Sequence, residues 1–144
     1  ETPKILGIDR RKMSKSYNNA IFLSDSPKEI SAKVARMITD PQRERRSDPG
    51  NPDVCNVFDF HKLYTDPQMV QEIDEQCRTA GIGCVECKQK MAQGLSAALE
   101  PIRTKRAYYE SRPDLVNDIM TEGSDRARRT AVKTMEEVRA AIKI

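Results

Sequence analysis

Two groups of side chains in this sequence are spaced for chemistry. The first is Lys12-Met13-Ser14-Lys15-Ser16, in which two lysines straddle a methionine and a serine. A bent loop can aim both ammonium groups at one anion, and lysine suits that task as a mobile point charge. The hydroxyls of Ser14 and Ser16, with the backbone N–H groups of an exposed loop, add further donors. Charge developing on a leaving pyrophosphate is what such a loop could stabilise. The spacing is not that of a P-loop, because no G-x-x-x-x-G-K-[ST] run is present. An ordinary solvated basic loop is the competing reading.

The second group is Cys55, Cys77, Cys84 and Cys87, separated by 21, 6 and 2 residues. The first residues lack the apolar core of a secretion signal, so reduced thiols are expected rather than a disulfide framework. Four thiolates can close a tetrahedral zinc site or hold a cubane iron–sulfur cluster. The two-residue spacing of Cys84 and Cys87 lets both reach one centre. That pair follows Gly81 and Gly83 and opens a helix, whose N-terminal dipole is expected to favour thiolate. Spacing leaves zinc and iron both open. Cys55 and Cys77 can also be read as small buried hydrophobes. His61, the single histidine, is expected as a half-buried helix residue, since four sulfurs already fill a site.

The elements that must carry these groups differ on either side of residue 25. Ile5, Leu6 and Ile8 read as the end of a buried strand, and Ala20 to Leu23 as a second short apolar run, with the lysine loop between them. From Ser26 onward the pattern is helical. Ser26 is placed as N-cap, Pro27 at the first helical position and Glu29 as the capping-box partner. Ile30, Val34, Met37 and Ile38 form its buried stripe, and the helix should stop near Asp40-Pro41. Residues 40–53 carry three prolines and read as a polar loop.

A short helix should then bury Val57, Phe58, His61, Leu63 and Tyr64 in part, and Asp66 should cap the next one. Residues 80–83 break the chain. A long helix is expected from about Val85 to Ser111, with Met91, Leu95, Ala98, Leu99 and Ile102 on one face and a kink at Pro101. Pro113 restarts the chain, and Glu122-Gly123-Ser124 should separate off a last helix. That last helix repeats Ala127, Ala131, Met135, Val138 and Ile142 as a packing stripe. Met91, Met120 and Met135 are expected in the core. The predicted fold is mainly α: a helical bundle preceded by a scrap of sheet edge.

Composition bounds the rest. The chain has 144 residues, 33% of them charged and 38% hydrophobic, enough for one domain with a real core. No apolar run approaches the roughly 18 residues of a membrane span. A net charge of +3 does not establish a nucleic-acid partner. Basic residues do cluster, at Lys4 and Arg10 to Lys15, at Arg103, Lys105 and Arg106, and at Arg126, Arg128, Arg129 and Lys133. Such patches can follow a phosphate backbone or can simply be wet helix faces. The scarcity of aromatic residues argues against a base-stacking platform. Because residue 1 is Glu rather than Met, the chain is expected to be an excised piece of something longer.

The lysine loop carries a resemblance. "KMSKS" is, letter for letter, the signature loop of class I aminoacyl-tRNA synthetases. "GID" before it, "SYNNAI" overlapping its end, and then "ARMITDP", "DPGNPDVCNVF", "GCVECKQKM", "LEPIRTKR" and "GSDRARRTAVKTMEEVR" resemble, in order, the bacterial tryptophanyl-tRNA synthetase family. The resemblance covers essentially the whole chain and is highly specific.

It implies a ligase that activates tryptophan with ATP and Mg²⁺ as an adenylate and passes it to tRNA(Trp), cytoplasmic, homodimeric and not membrane-bound. It implies that residues 1–25 end a Rossmann catalytic domain and that 26–144 form the helical anticodon-binding domain. Lys12, Met13, Ser14, Lys15 and Ser16 would be the mobile ATP loop, with Lys12 and Lys15 on the phosphates. That loop is expected to be poorly ordered here and not buried. The "HIGH"-type motif and the tryptophan pocket have no counterpart in the sequence, so the resemblance implies a C-terminal part, inactive alone.

Some members carry a [4Fe–4S] cluster on four cysteines. The last two gaps here match that pattern, and the first is one residue shorter. Arg103, Arg106, Arg126, Arg129 and Lys133 are candidates for anticodon contact. The alternative is a free-standing helical RNA-binding module with a four-cysteine metal centre.

Overall fold

In the computed structural model, which describes residues 5–144, five α-helices follow one another: α1 (Pro27–Ala35), α2 (Asn56–Tyr64), α3 (Pro67–Arg78), α4 (Cys84–Glu110) and α5 (Pro113–Ile142). Lys4 lies outside the described residues. The helical expectation holds. The strand expectation does not, because among the described residues the only β-type pairing is a single antiparallel bridge between Leu6 and Lys12. Ile5, Phe22 and Leu23 are exposed. Apolar runs this short make strands only beside partner strands, and none is present among the described residues.

Local signals set the first three helices. Ser26 accepts from Glu29 N–H while Glu29 reaches back to the Ser26 backbone, with Pro27 at the first turn; this closed capping box fixes the start of α1. α1 ends at Ala35, earlier than the sequence suggests. Ile38 therefore leaves the helical stripe and is exposed, while Ile30, Val34 and Met37 are buried. Asp66 caps α3 by accepting from Gln68 N–H. The break after α3 is made by Ala80, whose backbone is left-handed at φ 57°.

Two compact units result, one ending at Arg103 and one spanning Thr104–Ile144. The core of the first collects Ile30, Val34 and Met37 from the α1 region, Val57, Phe58 and Phe60 from α2, Ile73 from α3, and Met91, Ala92, Leu95 and Leu99 from α4. Ile8, Met13 and Ile21 pack against it, so the segment before α1 shares this core. Leu63 and Ile102, both expected inside, are exposed. α4 continues through Pro101 without interruption.

The second unit differs from expectation in two ways. α5 is one helix through Gly123; a lone glycine costs a helix only about 1 kcal/mol, which good helix formers on both sides can offset. No α5 residue is buried. Met120 and Met135 are exposed, at 65% and 45%, and so is the stripe through Val138 and Ile142. The helical period is present, but a period says nothing about whether a neighbour covers it. Met91, by contrast, is wholly buried.

Candidate functional site

The lysine loop is built on a tight reversal. Arg10, left-handed at φ 64°, turns the chain so that Gly7 N–H donates to Arg11 C=O at 2.7 Å and Arg10 N–H donates to Gly7 C=O at 3.0 Å. Ser14 then caps a one-turn 3-10 helix, Lys15–Tyr17, by accepting from Ser16 N–H at 3.3 Å. Asn18, left-handed at φ 50°, closes that turn. Lys12, Lys15 and Ser16 are exposed and Met13 and Ser14 half-buried. Met13 packs against the core and so roots the loop. No acidic side chain among the described residues pairs with Lys12 or Lys15, whereas Arg11 is held by Asp9 at 2.7 Å. Two uncommitted ammonium groups thus stand on an anchored loop, the disposition needed to meet a polyphosphate.

Asn19, which follows this loop, is 1% exposed. Its Oδ1 accepts from Ser14 N–H at 2.8 Å, and its Nδ2 donates to Asp9 Oδ1 at 2.8 Å and to Lys12 C=O at 3.1 Å. Asp9 is held below the usual carboxylate range, chiefly by that hydrogen bond from Asn19 and then by Arg11. Nothing in the sequence marks this role of Asn19. A polar residue just past a basic loop carries no local mark of being buried.

The four cysteines come from three segments. Cys55 precedes α2, Cys77 lies near the end of α3, and Cys84 and Cys87 open α4. All four are free thiols. Arg43 Nη1 lies 3.9 Å from both Cys77 Sγ and Cys84 Sγ, so those two sulfurs are no further apart than twice that distance. Its Nη2 donates to Arg46 C=O at 2.9 Å and Ile82 C=O at 2.8 Å, while its Nε is buried without a partner. A Cβ on Gly50 would stand 2.7 Å from Cys77 Sγ, so only glycine lets that loop close over the sulfur.

At Cys87 the expected helix-dipole activation is overridden. Cys87 is pushed up to about 12, first by burial and then by the charges of Cys55, Cys77 and Cys84. Cys55 and Cys77 are also raised, burial again being the main cause. Low polarity around the sulfurs outweighs the helix terminus. A metal or cluster bound by these residues would therefore have to displace protons from Cys55, Cys77 and Cys87.

Among the described residues, no group of three or more His, Cys, Asp or Glu side chains is arranged to hold a metal ion. Zinc, with Zn–S bonds of about 2.3 Å, would require a tighter convergence of the sulfurs. A cubane interposes iron and sulfide between its thiolates and so spaces them more widely. Four thiols are a donor set that either group accepts, and the buried unpartnered Arg43 Nε and the close approach of Gly50 to Cys77 lie beside them. His61 is wholly buried, not half-buried. Its Nε2 faces Cys87 C=O at 3.1 Å and its Nδ1 faces Thr65 Oγ1 at 2.9 Å. A carbonyl only accepts, so Nε2 carries the proton and Nδ1 accepts from the Thr65 hydroxyl. Burial holds the ring below its ordinary pKa, and His61 is a satisfied core residue.

The basic candidates divide. Arg103 is turned inward, donating to Ser96 C=O at 2.7 Å and to Asp25 C=O at 3.4 Å. Arg106 is tied to Glu110 at 2.7 Å. Arg126, Arg129 and Lys133 lie exposed on α5.

The mainly helical fold thus presents two unpaired lysines on an anchored loop. Residues 2–100 match the family model "tRNA synthetases class I (W and Y)", and the chain belongs to that family. The tryptophan–tRNA ligase of Aquifex aeolicus is 50% identical over the whole chain, and that of Thermotoga maritima 44% identical over 99% of it. The chain spans only 37% and 44% of those two relatives. Among solved structures, a Campylobacter jejuni tryptophanyl-tRNA synthetase complexed with ADP and tryptophan covers the whole chain with a TM-score of 0.88 at 26% identity. This chain matches 44% of that one.

Proposed function

We propose that this chain is the C-terminal part of a tryptophan–tRNA ligase and supplies the phosphate-binding loop for amino-acid activation. The observation that carries the reading is the exposed, core-anchored Lys12–Ser16 loop in a chain of this family. The Campylobacter relative holds ADP and tryptophan, and the curated relatives are more than twice as long as this chain. In this reading residues 1–25 end the catalytic domain, 26–144 form the tRNA-contacting helical domain, and the whole enzyme is a cytoplasmic homodimer. None of the described helices is long and apolar enough to cross a membrane.

In activation the tryptophan carboxylate attacks the α-phosphorus of ATP, and the bond to the β-phosphate oxygen breaks to release pyrophosphate. Negative charge grows on the leaving group as that bond lengthens. Lys12 and Lys15 meet this charge, with the Ser14 and Ser16 donors beside them. Mg²⁺, when bound with ATP, neutralises part of the same triphosphate charge. In the full-length enzyme, Lys15→Ala should slow pyrophosphate exchange about 100-fold while tryptophan affinity stays within about twofold. Equal losses in both would refute a transition-state role for the loop.

The second part of the reading assigns Cys55, Cys77, Cys84 and Cys87 to a [4Fe–4S] cluster. It is supported by the spacing, by four free thiols, and by the Arg43 guanidinium beside two of them. Bound there, the cluster would supply a structural tie and a charged centre in the helical domain. Of the five basic candidates, Arg126, Arg129 and Lys133 of α5 are exposed and are the ones assigned to approach tRNA.

A further inference from the structure

We infer that Asn19 is the positioning residue of the Lys12–Ser16 loop, and that without it the loop no longer delivers its lysines to the transition state. The inference rests on the reading of that loop as the ATP loop, but its support is separate. Asn19 spends every hydrogen-bonding position of its amide except one lone pair on Oδ1, all of it on one loop. Oδ1 accepts from Ser14 N–H, and the two Nδ2 protons go to Asp9 Oδ1 and Lys12 C=O. These contacts pin the backbone at both ends of Lys12-Met13-Ser14, so the two lysines leave the chain from fixed points. At 1% exposure, the amide works without competition from water.

The frame behind Asn19 is anchored in turn. Asn19 C=O accepts from Ile8 N–H at 2.9 Å, and Ile8 C=O accepts from Ile38 N–H at 3.1 Å. Asn56, 1% exposed at the start of α2, donates its Nδ2 to Gly7 C=O at 2.8 Å. A Cβ on Gly7 would come within 2.4 Å of Asn19 Cγ, so the amide is wedged directly on the Gly7 backbone. Asn19 therefore links the loop to a rigid base formed by the end of the α1 segment and the start of α2. Placement of this kind governs rate: a misplacement of about 1 Å can cost about 100-fold.

The test is steady-state pyrophosphate exchange by the full-length enzyme carrying Asn19→Asp. That variant keeps the acceptor for Ser14 N–H but sets a carboxylate against Asp9 and Lys12 C=O. The expected result is a kcat lower by about 10- to 100-fold with the tryptophan KM within about twofold, since only the transition-state contacts of the lysines are lost. Adding Asp9→Asn restores a donor–acceptor pair with its polarity reversed, and should recover at least about threefold of the rate. Should Asn19→Asp not fold, Asn19→Ser, too short to reach both Lys12 and Ser14, carries the same kcat and KM expectation.

An unchanged kcat, a joint fall of kcat and tryptophan affinity, or no recovery in the reciprocal pair would each overturn the inference. Lys15→Ala, assayed alongside, separates the two layers. If Lys15→Ala slows exchange and the Asn19 variants do not, only this inference falls. If Lys15→Ala leaves the rate intact, the reading of the loop itself falls.

Discussion

Gly7 shows how much a single side chain decides near the lysine loop. Its own backbone needs no left-handed angle, so conformational freedom is not the reason for glycine here. Space is the reason. An added methyl would meet Asn19 Cγ at 2.4 Å and Asn19 C=O at 2.7 Å. The amide cannot step aside, because its three hydrogen bonds and its burial hold it in place. Gly7→Ala should therefore destabilise the fold by about 1–3 kcal/mol, the usual cost of overpacking a filled site. Urea unfolding of the full chain measures this directly. A loss below a few tenths of a kcal/mol would show that the Asn19 contact gives way more easily than its hydrogen bonds indicate.

At the level of elements, two glycines inside long helices behave oppositely. Gly94 sits in α4 where that helix meets the end of α2, and a Cβ there would lie 2.6 Å from Tyr64 C=O. Gly123 sits in α5 with nothing within 4 Å. Helix propensity alone favours alanine over glycine at each by about 1 kcal/mol. Gly123→Ala should realise that gain as a more helical, more stable α5. Gly94→Ala should lose stability, because a backbone oxygen cannot move without moving α2. Circular dichroism and thermal melts of the two single variants check the opposite signs. The helical pattern also explains α5 as an element: its apolar stripe is real, yet Met120, Met135 and Ile142 are exposed.

For the molecule as a whole, the proposed cluster would join segments distant in sequence. Cys55, Cys77 and the Cys84–Cys87 pair lie at the approach to α2, near the end of α3 and at the start of α4, so a group bound by all four would tie these together. A group bound to the folded state alone stabilises it by mass action. Full-length protein purified without oxygen should be brown, absorb near about 400 nm and contain iron. Stripping the iron with a chelator should lower its melting temperature, and Cys84→Ser should reproduce that loss and remove the colour. One zinc and no iron by metal analysis would reject the iron–sulfur assignment. Binding of a cluster should also release protons, because burial raises Cys55 and Cys77 and pushes Cys87 up to about 12.

Much of this molecule is local and could be read from the chain alone. The capping box at Ser26 and Glu29, the Asp66 cap and the prolines at helix starts act within one turn, so sequence determines them. The lysine loop is likewise legible, because five adjacent residues carry its chemistry. Burial is not local. Whether Met135 or Met91 lies inside depends on what packs opposite, and only the tertiary structure decides that one is exposed and the other enclosed. The strand expected before residue 9 fails for the same reason, since a strand exists only beside another. Asn19, Asn56 and Arg43 could not be found from composition or spacing. Their partners at Asp9, Gly7 and Cys77 lie 10, 49 and 34 residues away, and folding alone brings such pairs within hydrogen-bonding range.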